Sequence, residues 1–327
     1  MAESAVRIGV IRNPRSQRNR VAAQAGPEPE VVSGRVRLAE PMSTEALIET
    51  LRDYQRSGID HVVVDGGDGT LREVLTQLPP IYGAALPTIS LIASGNTNLA
   101  TADVGGFARS PQALAQVLAT VEGRAPTRQS ERTVIEAVWP DGSRPPVSGF
   151  FLGSAGYLHG WRMAHSDIHT RGLWHRWAVA ATIARAAWQI ITGKPDSDWQ
   201  RGSRLSLGVD GGAARDGARF VFLVCSLEKL FMGLWPFWDH GQDPARPLRW
   251  LDISAPAPQF ARALLSLLRG RPKAWMRATG SYRSGDAQTL MLGLDEELVI
   301  DGEAYPPDRD GRIELRPGAR FRFHAPG

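Results

Sequence analysis

Residues 61–71, HVVVDGGDGTL, constrain this chain more than any other stretch. From His61 to Val64, three β-branched side chains run together without alternation, the pattern of a strand covered on both faces. Asp65, Gly66, Gly67, Asp68, Gly69 and Thr70 then read as a turn, and Leu71, Val74, Leu75 and Leu78 follow at helical spacing. Strand, glycine turn and helix in that order put the turn at the carboxyl edge of an open α/β sheet, where such folds bind ligands. Glycine lets a ligand approach the backbone, and a helix N-terminus favours anions. An acid in such a loop opposes an anion unless a divalent cation intervenes. Asp68 therefore points to Mg²⁺ carried in with a nucleotide. The simpler alternative is a tight βα turn whose Asp residues cap the helix.

The rest of the first 128 residues alternates strand and helix. Residues 6–12 and 31–38 read as strands, and Asn13-Pro14-Arg15-Ser16 is a turn on the same ligand edge. Ser43 or Thr44 caps a helix carrying Leu47, Leu51 and Tyr54. Residues 88–93 form a further strand, followed by a turn at Ser94-Gly95-Asn96-Thr97-Asn98. Ser110-Pro111 starts the next helix, with Pro at its first position. The expected first domain, residues 1–128, is a doubly wound, mostly parallel α/β domain.

After about residue 130 strand-like runs follow one another with turn signals between them. Residues 129–327 are expected to form an antiparallel β domain, a sandwich or barrel. At 327 residues, two domains are comfortable. Residues 312–315 and 320–323 read as two separate strands. Residues 173–191 read as a helix with Trp177, Ala181, Ala184 and Trp188 in one stripe, and residues 231–238 (FMGLWPFW) are strongly apolar. Both suit either a core or a membrane interface. His159, His165, His169 and His175 flank the start of that helix, but without a Cys pair or an HExxH motif they do not make a zinc site. The single cysteine, Cys225, allows no intramolecular disulfide. No apolar signal region opens the chain and no run is long enough to span a bilayer, so the expected location is cytoplasmic with peripheral membrane association. The net charge of +4 suits anionic headgroups or nucleotide phosphates.

GGDGT after a strand, an upstream NPxS turn, a GxxN turn one strand later and a late Asp-Gly-Glu together resemble the diacylglycerol kinase catalytic-domain family, which includes sphingosine and ceramide kinases. The resemblance implies an α/β nucleotide domain, a C-terminal β-sandwich and an active site in the cleft between them. It implies ATP and Mg²⁺ as cofactors. It places Asn13, Ser16, Gly66, Gly67, Gly69, Thr70, Gly95, Asn96 and Asn98 around the nucleotide, with Asp68 close to Mg²⁺. Asp301 and Glu303 would face the acceptor hydroxyl, Glu303 as proton acceptor; Asp68 and Asp301 remain the other candidate bases. Gln17, Ala93 and Asn96 depart from the family pattern, which usually has Gly, Pro and Thr there.

The implied activity is transfer of the γ-phosphoryl group of ATP to the hydroxyl of a long-chain lipid such as diacylglycerol or ceramide. NAD kinase shares GGDGT, but an Asn-Glu pair expected of it later in the chain is missing. A nucleotide-binding membrane-surface protein without catalysis is the alternative from another class. The expected partners are ATP and a lipid at a membrane surface, with no nucleic acid; a homodimer is left open.

Overall fold

The computed structural model describes residues 7–16, 36–95, 97–168, 201–230, 233–239, 241 and 243–327, with the side chains of 164–168 excepted. The helix expected over 173–191, His169, His175 and the side chain of His165 lie outside the described residues. The chain divides into two compact units: residues 1–134 with 319–327, and residues 135–318.

In the first unit, β1 (Ile8–Arg12), β2 (Val36–Ala39), β3 (His61–Gly66) and β4 (Thr88–Ala93) form a parallel sheet in the order β2–β1–β3–β4. The apolar run of β3 is buried throughout, because both faces of the sheet are covered. Ile8, Val10, Val63 and Ile92 pack with Ala113, Val117 and Leu118 of a helix over Ala113–Val121. On the other face, Gly9 leaves room for the ring of Tyr54, which a Cβ would meet at 2.4 Å. Tyr54 lies on α1 (Thr44–Arg56), which Ser43 caps by accepting from the Ala46 amide at 3.2 Å. Next come α2 (Asp68–Tyr82), α3 (Leu99–Val104), β5 (Phe107–Ala108) and α4 (Ala113–Val121). Ser110-Pro111 does not open α4; the helix begins two residues after Pro111, with Gln112 as its N-cap.

The last strand runs unbroken over Arg312–Pro326, through Pro317-Gly318, where the sequence reads as a turn. Its tail belongs to the first unit, where Phe323 pairs with Ile89 of β4. Ser90 donates to the His324 carbonyl at 2.8 Å and bonds His61 Nε2 at 2.9 Å, so His61 is the donor in that second bond. Burial, then the neighbouring His324, lowers the His61 pKa from an ordinary 6.5 to about 3. The folded state therefore holds His61 neutral. Its contribution to stability is complete above about pH 6.5 and is lost as pH falls toward 3. Urea unfolding at pH 7.5 and pH 5 should show a loss of roughly 2 kcal/mol from this group, at about 1.4 kcal/mol per pH unit. His61→Leu should remove that part of the slope; an unchanged slope in the variant would refute the assignment.

The second unit is antiparallel. It contains the later part of β6 (Thr127–Val138), β7 (Val147–Gly149), β8 (Phe151–Ala155), α5 (Gly156–Ile168), β9 (Ser203–Val209), β10 (Ala218–Cys225) and β11 (Leu248–Ser254). It continues through α6 (Phe260–Leu268), α7 (Ala274–Thr279), β12 (Tyr282–Ala287), β13 (Leu290–Leu294), β14 (Leu298–Ile300) and β15 (Glu303–Tyr305) to the start of β16 (Arg312–Pro326). One layer runs β15–β14–β8–β10–β11–β12 and the other contains β9–β13–β16. Phe222, Val224, Trp250 and Ile300 from the first meet Leu207, Leu292, Ile313 and Leu315 from the second in one buried core, which makes the unit a β-sandwich. Of the apolar segment 231–238, Phe237 and Trp238 are buried and Leu234, Trp235 and Pro236 are half-buried, while residues 231 and 232 lie outside the described residues.

Candidate functional site

Three turns meet at the carboxyl edge of the parallel sheet. The turn after β3 is shorter than its sequence suggests. The strand extends to Gly66, Gly67 is the N-cap of α2, and Asp68-Gly69-Thr70 already form the first helical turn. Asn13 follows β1; its amide donates to the Asp65 carbonyl at 3.0 Å, and its side chain donates to Thr70 Oγ1 at 2.9 Å. The Asn13 side-chain oxygen accepts from the Arg15 amide at 2.9 Å, closing the turn on itself.

The turns after β3 and β4 pack backbone against backbone. A Cβ on Gly95 would lie 2.3 Å from the Gly67 Cα, and a Cβ on Gly66 would strike Thr70 at 2.7 Å. Asn98, in the left-handed region at φ 48°, accepts from the Gly95 amide at 3.0 Å and donates to the Gly95 carbonyl at 2.8 Å. Its side chain thus holds the turn rather than reaching outward. Asn96 lies outside the described residues. Gly69 differs from its neighbours: a Cβ there would meet nothing within 4 Å. No side chain caps the α2 N-terminus either, although it is the point where an anion is best stabilised. Ser16 Oγ is buried with no hydrogen-bond partner among the described residues.

Asp68 turns away from its own helix. Its two carboxylate oxygens accept from the Leu99 and Ala100 amides, at 3.0 and 3.1 Å, and so cap α3. Burial raises its pKa, while the amides of Leu99, Ala100, Asn98 and Asp68 itself oppose that rise. Each oxygen still carries a second lone pair. Mg²⁺ bound with a nucleotide takes one or two carboxylates and completes its shell with phosphate oxygens and water. Asp68 fits that pattern, and no group of three acid, His or Cys side chains able to hold a metal unaided occurs among the described residues.

A charged group beneath the turns had no clear signal in the sequence beyond an acid interrupting an apolar run. Asp65 is fully buried; it accepts from Arg12 Nε at 2.7 Å and from Ser94 Oγ at 2.5 Å, with Arg109 Nε 4.0 Å away. These contacts join the ends of β1, β3 and β4 to the segment after β5, and they remove Asp65 from the list of helix caps.

Asp301 and Glu303 lie in the second unit. Asp301-Gly302 is the two-residue turn of the β14–β15 hairpin, with φ of 43° and 85°. The Asp301 carboxylate accepts from the amides of Phe150 and Phe151, at 2.9 Å each, and fastens the hairpin to the start of β8. Glu303 opens β15 and is exposed. Trp161 of α5 donates to the Gly302 carbonyl at 3.0 Å.

Residues 7–126 match the family model of the diacylglycerol kinase catalytic domain. The crystal structure of a protein assigned as a diacylglycerol kinase from Bacillus anthracis str. Sterne superimposes with a TM-score of 0.63 at 17% identity, covering 99% of this chain and 97% of that one. Another diacylglycerol kinase structure from the same organism gives 0.57 at 13% identity, over 97% and 96%. At these identities the likeness is one of fold. No match to a curated protein was found.

Proposed function

We propose, from the match of residues 7–126 to the diacylglycerol kinase catalytic-domain family model, that the chain is an ATP-dependent kinase of a long-chain lipid hydroxyl. The observation that supports this most directly is Gly69. Packing accounts for Gly66, Gly67 and Gly95, but among the described residues no atom requires a glycine at position 69. A ligand approaching the backbone of the first turn of α2 does require it. In this reading the turn residues Gly66, Gly67, Gly69 and Thr70 receive the phosphates, Asn13 and Asn98 hold the turn, and Ser16 Oγ supplies a hydroxyl to the nucleotide. Asp68 would hold Mg²⁺, which neutralises phosphate charge when it enters with ATP. Asp301 positions the hairpin that carries Glu303, and Glu303 accepts the proton of the lipid hydroxyl. No described helix is long and apolar enough to cross a membrane, and attachment at the membrane surface is part of the proposal.

The test is incubation of the purified protein with labelled ATP and a panel of diacylglycerol, ceramide and sphingoid lipids, with NAD as the soluble control. Labelled lipid supports the reading. Label in NAD alone, or in nothing, refutes it.

Gly69→Ala gives a sharper check on the phosphate cradle. Alanine in the first turn of a helix is compatible with its stability and stabilises an interior position by up to about 1 kcal/mol. We expect an undiminished melting temperature with ATP affinity lowered by roughly tenfold or more, about 1.4 kcal/mol of binding. Gly95→Ala should instead lose stability, because its Cβ meets the Gly67 backbone. Unchanged ATP affinity in a folded Gly69→Ala protein would remove the cradle from the proposal.

A further inference from the structure

The sandwich unit carries an exposed face that none of the site residues uses. Helix α6 turns Ala263 and Leu267 inward, and the Phe260 ring packs on Phe220 with centroids 4.6 Å apart. Its outer side presents Arg262, Leu265 and Arg269 at i, i+3 and i+7, one above another. Leu265 is 65% exposed, more than any other large apolar side chain described. From Ala255 to Gly280 the chain has five basic residues, Arg262, Arg269, Arg271, Lys273 and Arg277, and no acidic one. Arg277 pairs with Asp239, which lies outside that stretch. The other four are exposed and make no ion pair among the described residues. Arg262 lies 6.0 Å from the ring of Trp275, which brings α6 and α7 side by side.

A single exposed leucine needs no explanation, and neither does a scatter of arginines. Their combination on one helix face does. A helix face built only for water mixes charges of both signs and gains from i,i+4 pairs. Here Arg262 and Arg269 flank Leu265 on one helix face, Arg271 and Lys273 follow just after the helix, and none of the four is in an ion pair among the described residues. An acidic protein or a nucleic acid would use the cations and leave Leu265 in water. A bilayer uses both, because the headgroups take the charges and the acyl boundary takes the leucine.

We propose that the outer face of α6, with the basic segment leading into α7, docks on an anionic lipid surface. The proposal rests on the lipid-kinase reading for its purpose, since it would hold the enzyme where its acceptor resides, but the binding itself needs no catalysis.

The experiment is co-sedimentation of the full chain with vesicles of phosphatidylglycerol and phosphatidylcholine in equal parts, beside phosphatidylcholine alone. Wild type should sediment with the anionic vesicles and stay in the supernatant with the neutral ones. Arg262→Ala/Arg269→Ala should lower partition by roughly 30-fold, at roughly fivefold per basic group. Leu265→Ser should lower it several-fold on the same vesicles, with the melting temperature of both variants kept near wild type. The proposal is overturned if wild type does not sediment with anionic vesicles or if both variants sediment like wild type. It is also overturned if the arginine variant alone is affected, which would mark plain polyanion binding. Phosphorylation of monomeric short-chain lipids, measured in parallel, keeps the two ideas apart. Sedimentation without any lipid phosphorylation sinks the kinase reading and leaves the docking face standing. Phosphorylation without sedimentation does the reverse.

Discussion

Glu303→Gln is expected to lower kcat and kcat/KM together by roughly 10²–10⁴-fold if Glu303 is the proposed general base, the usual cost of losing one. The structure sharpens the choice between the two acids of the hairpin. Asp301 has both oxygens committed to the Phe150 and Phe151 amides, and its own amide donates to the Phe151 carbonyl at 3.0 Å. It holds the turn, and a substrate hydroxyl would have to compete with two backbone donors. Glu303, two residues on, is exposed at the start of β15. Glutamine keeps the length and one acceptor oxygen but cannot take a proton. ATP affinity should stay within about threefold of wild type, a change of roughly 0.7 kcal/mol, because the turns proposed to hold the phosphates belong to the other unit. Steady-state kinetics beside an ATP-binding titration decides the matter. A kcat within about threefold of wild type excludes Glu303 as the base. A large loss of both activity and ATP binding means structural damage instead. Asp301→Asn should behave differently, losing stability first, since its amide would set an N–H against a backbone N–H.

Much of this was legible in the residues. The unbroken Val62–Val64 run could only be a strand buried on both faces, and the Leu71–Leu78 periodicity could only follow it as a helix. The glycines of the turn were readable as a group, but their separate duties were not. Gly66, Gly67 and Gly95 answer to neighbours brought together by the fold, whereas Gly69 faces open space. Asp65 was opaque for the same reason, because its partners Arg12, Ser94 and Arg109 lie far away in the chain and converge only through strand order. Pro317-Gly318 carries a local turn signal that the pairing of the long last strand overrides. The bond from Ser90 to the His324 carbonyl spans 234 residues, and no local pattern announces it. Composition favoured the tryptophans of 231–238 as an exposed apolar patch, yet Trp238 is buried, and the large apolar side chain described as most exposed is Leu265 on α6.

The second large effect is expected at Asp68, and here the structure changes the form of the prediction. A carboxylate in a glycine turn suggests a metal ligand whose loss would spare the fold. In the molecule, both of its oxygens accept amides at the start of α3, so the residue also ties the β3 turn to the β4 turn. Asp68→Asn leaves one acceptor and sets an N–H₂ against a backbone N–H. A stability loss of about 1–3 kcal/mol should follow, visible in a urea melt. That cost alone does not decide function. If Asp68 is only a cap, the variant assayed well below its melting temperature recovers kcat to within about threefold of wild type, with an unaltered Mg²⁺ requirement. If it also holds the cation against the phosphates, kcat stays down by roughly 10²-fold or more even when the protein is fully folded, as for other groups that stabilise transition-state charge. The apparent Mg²⁺ requirement should then rise as well. Asp68→Ala separates the two further, since it removes the donor clash but not the loss of charge. The two variants should differ in stability and agree in their loss of rate. A folded Asp68→Ala protein with wild-type turnover and wild-type Mg²⁺ dependence would confine Asp68 to the cap.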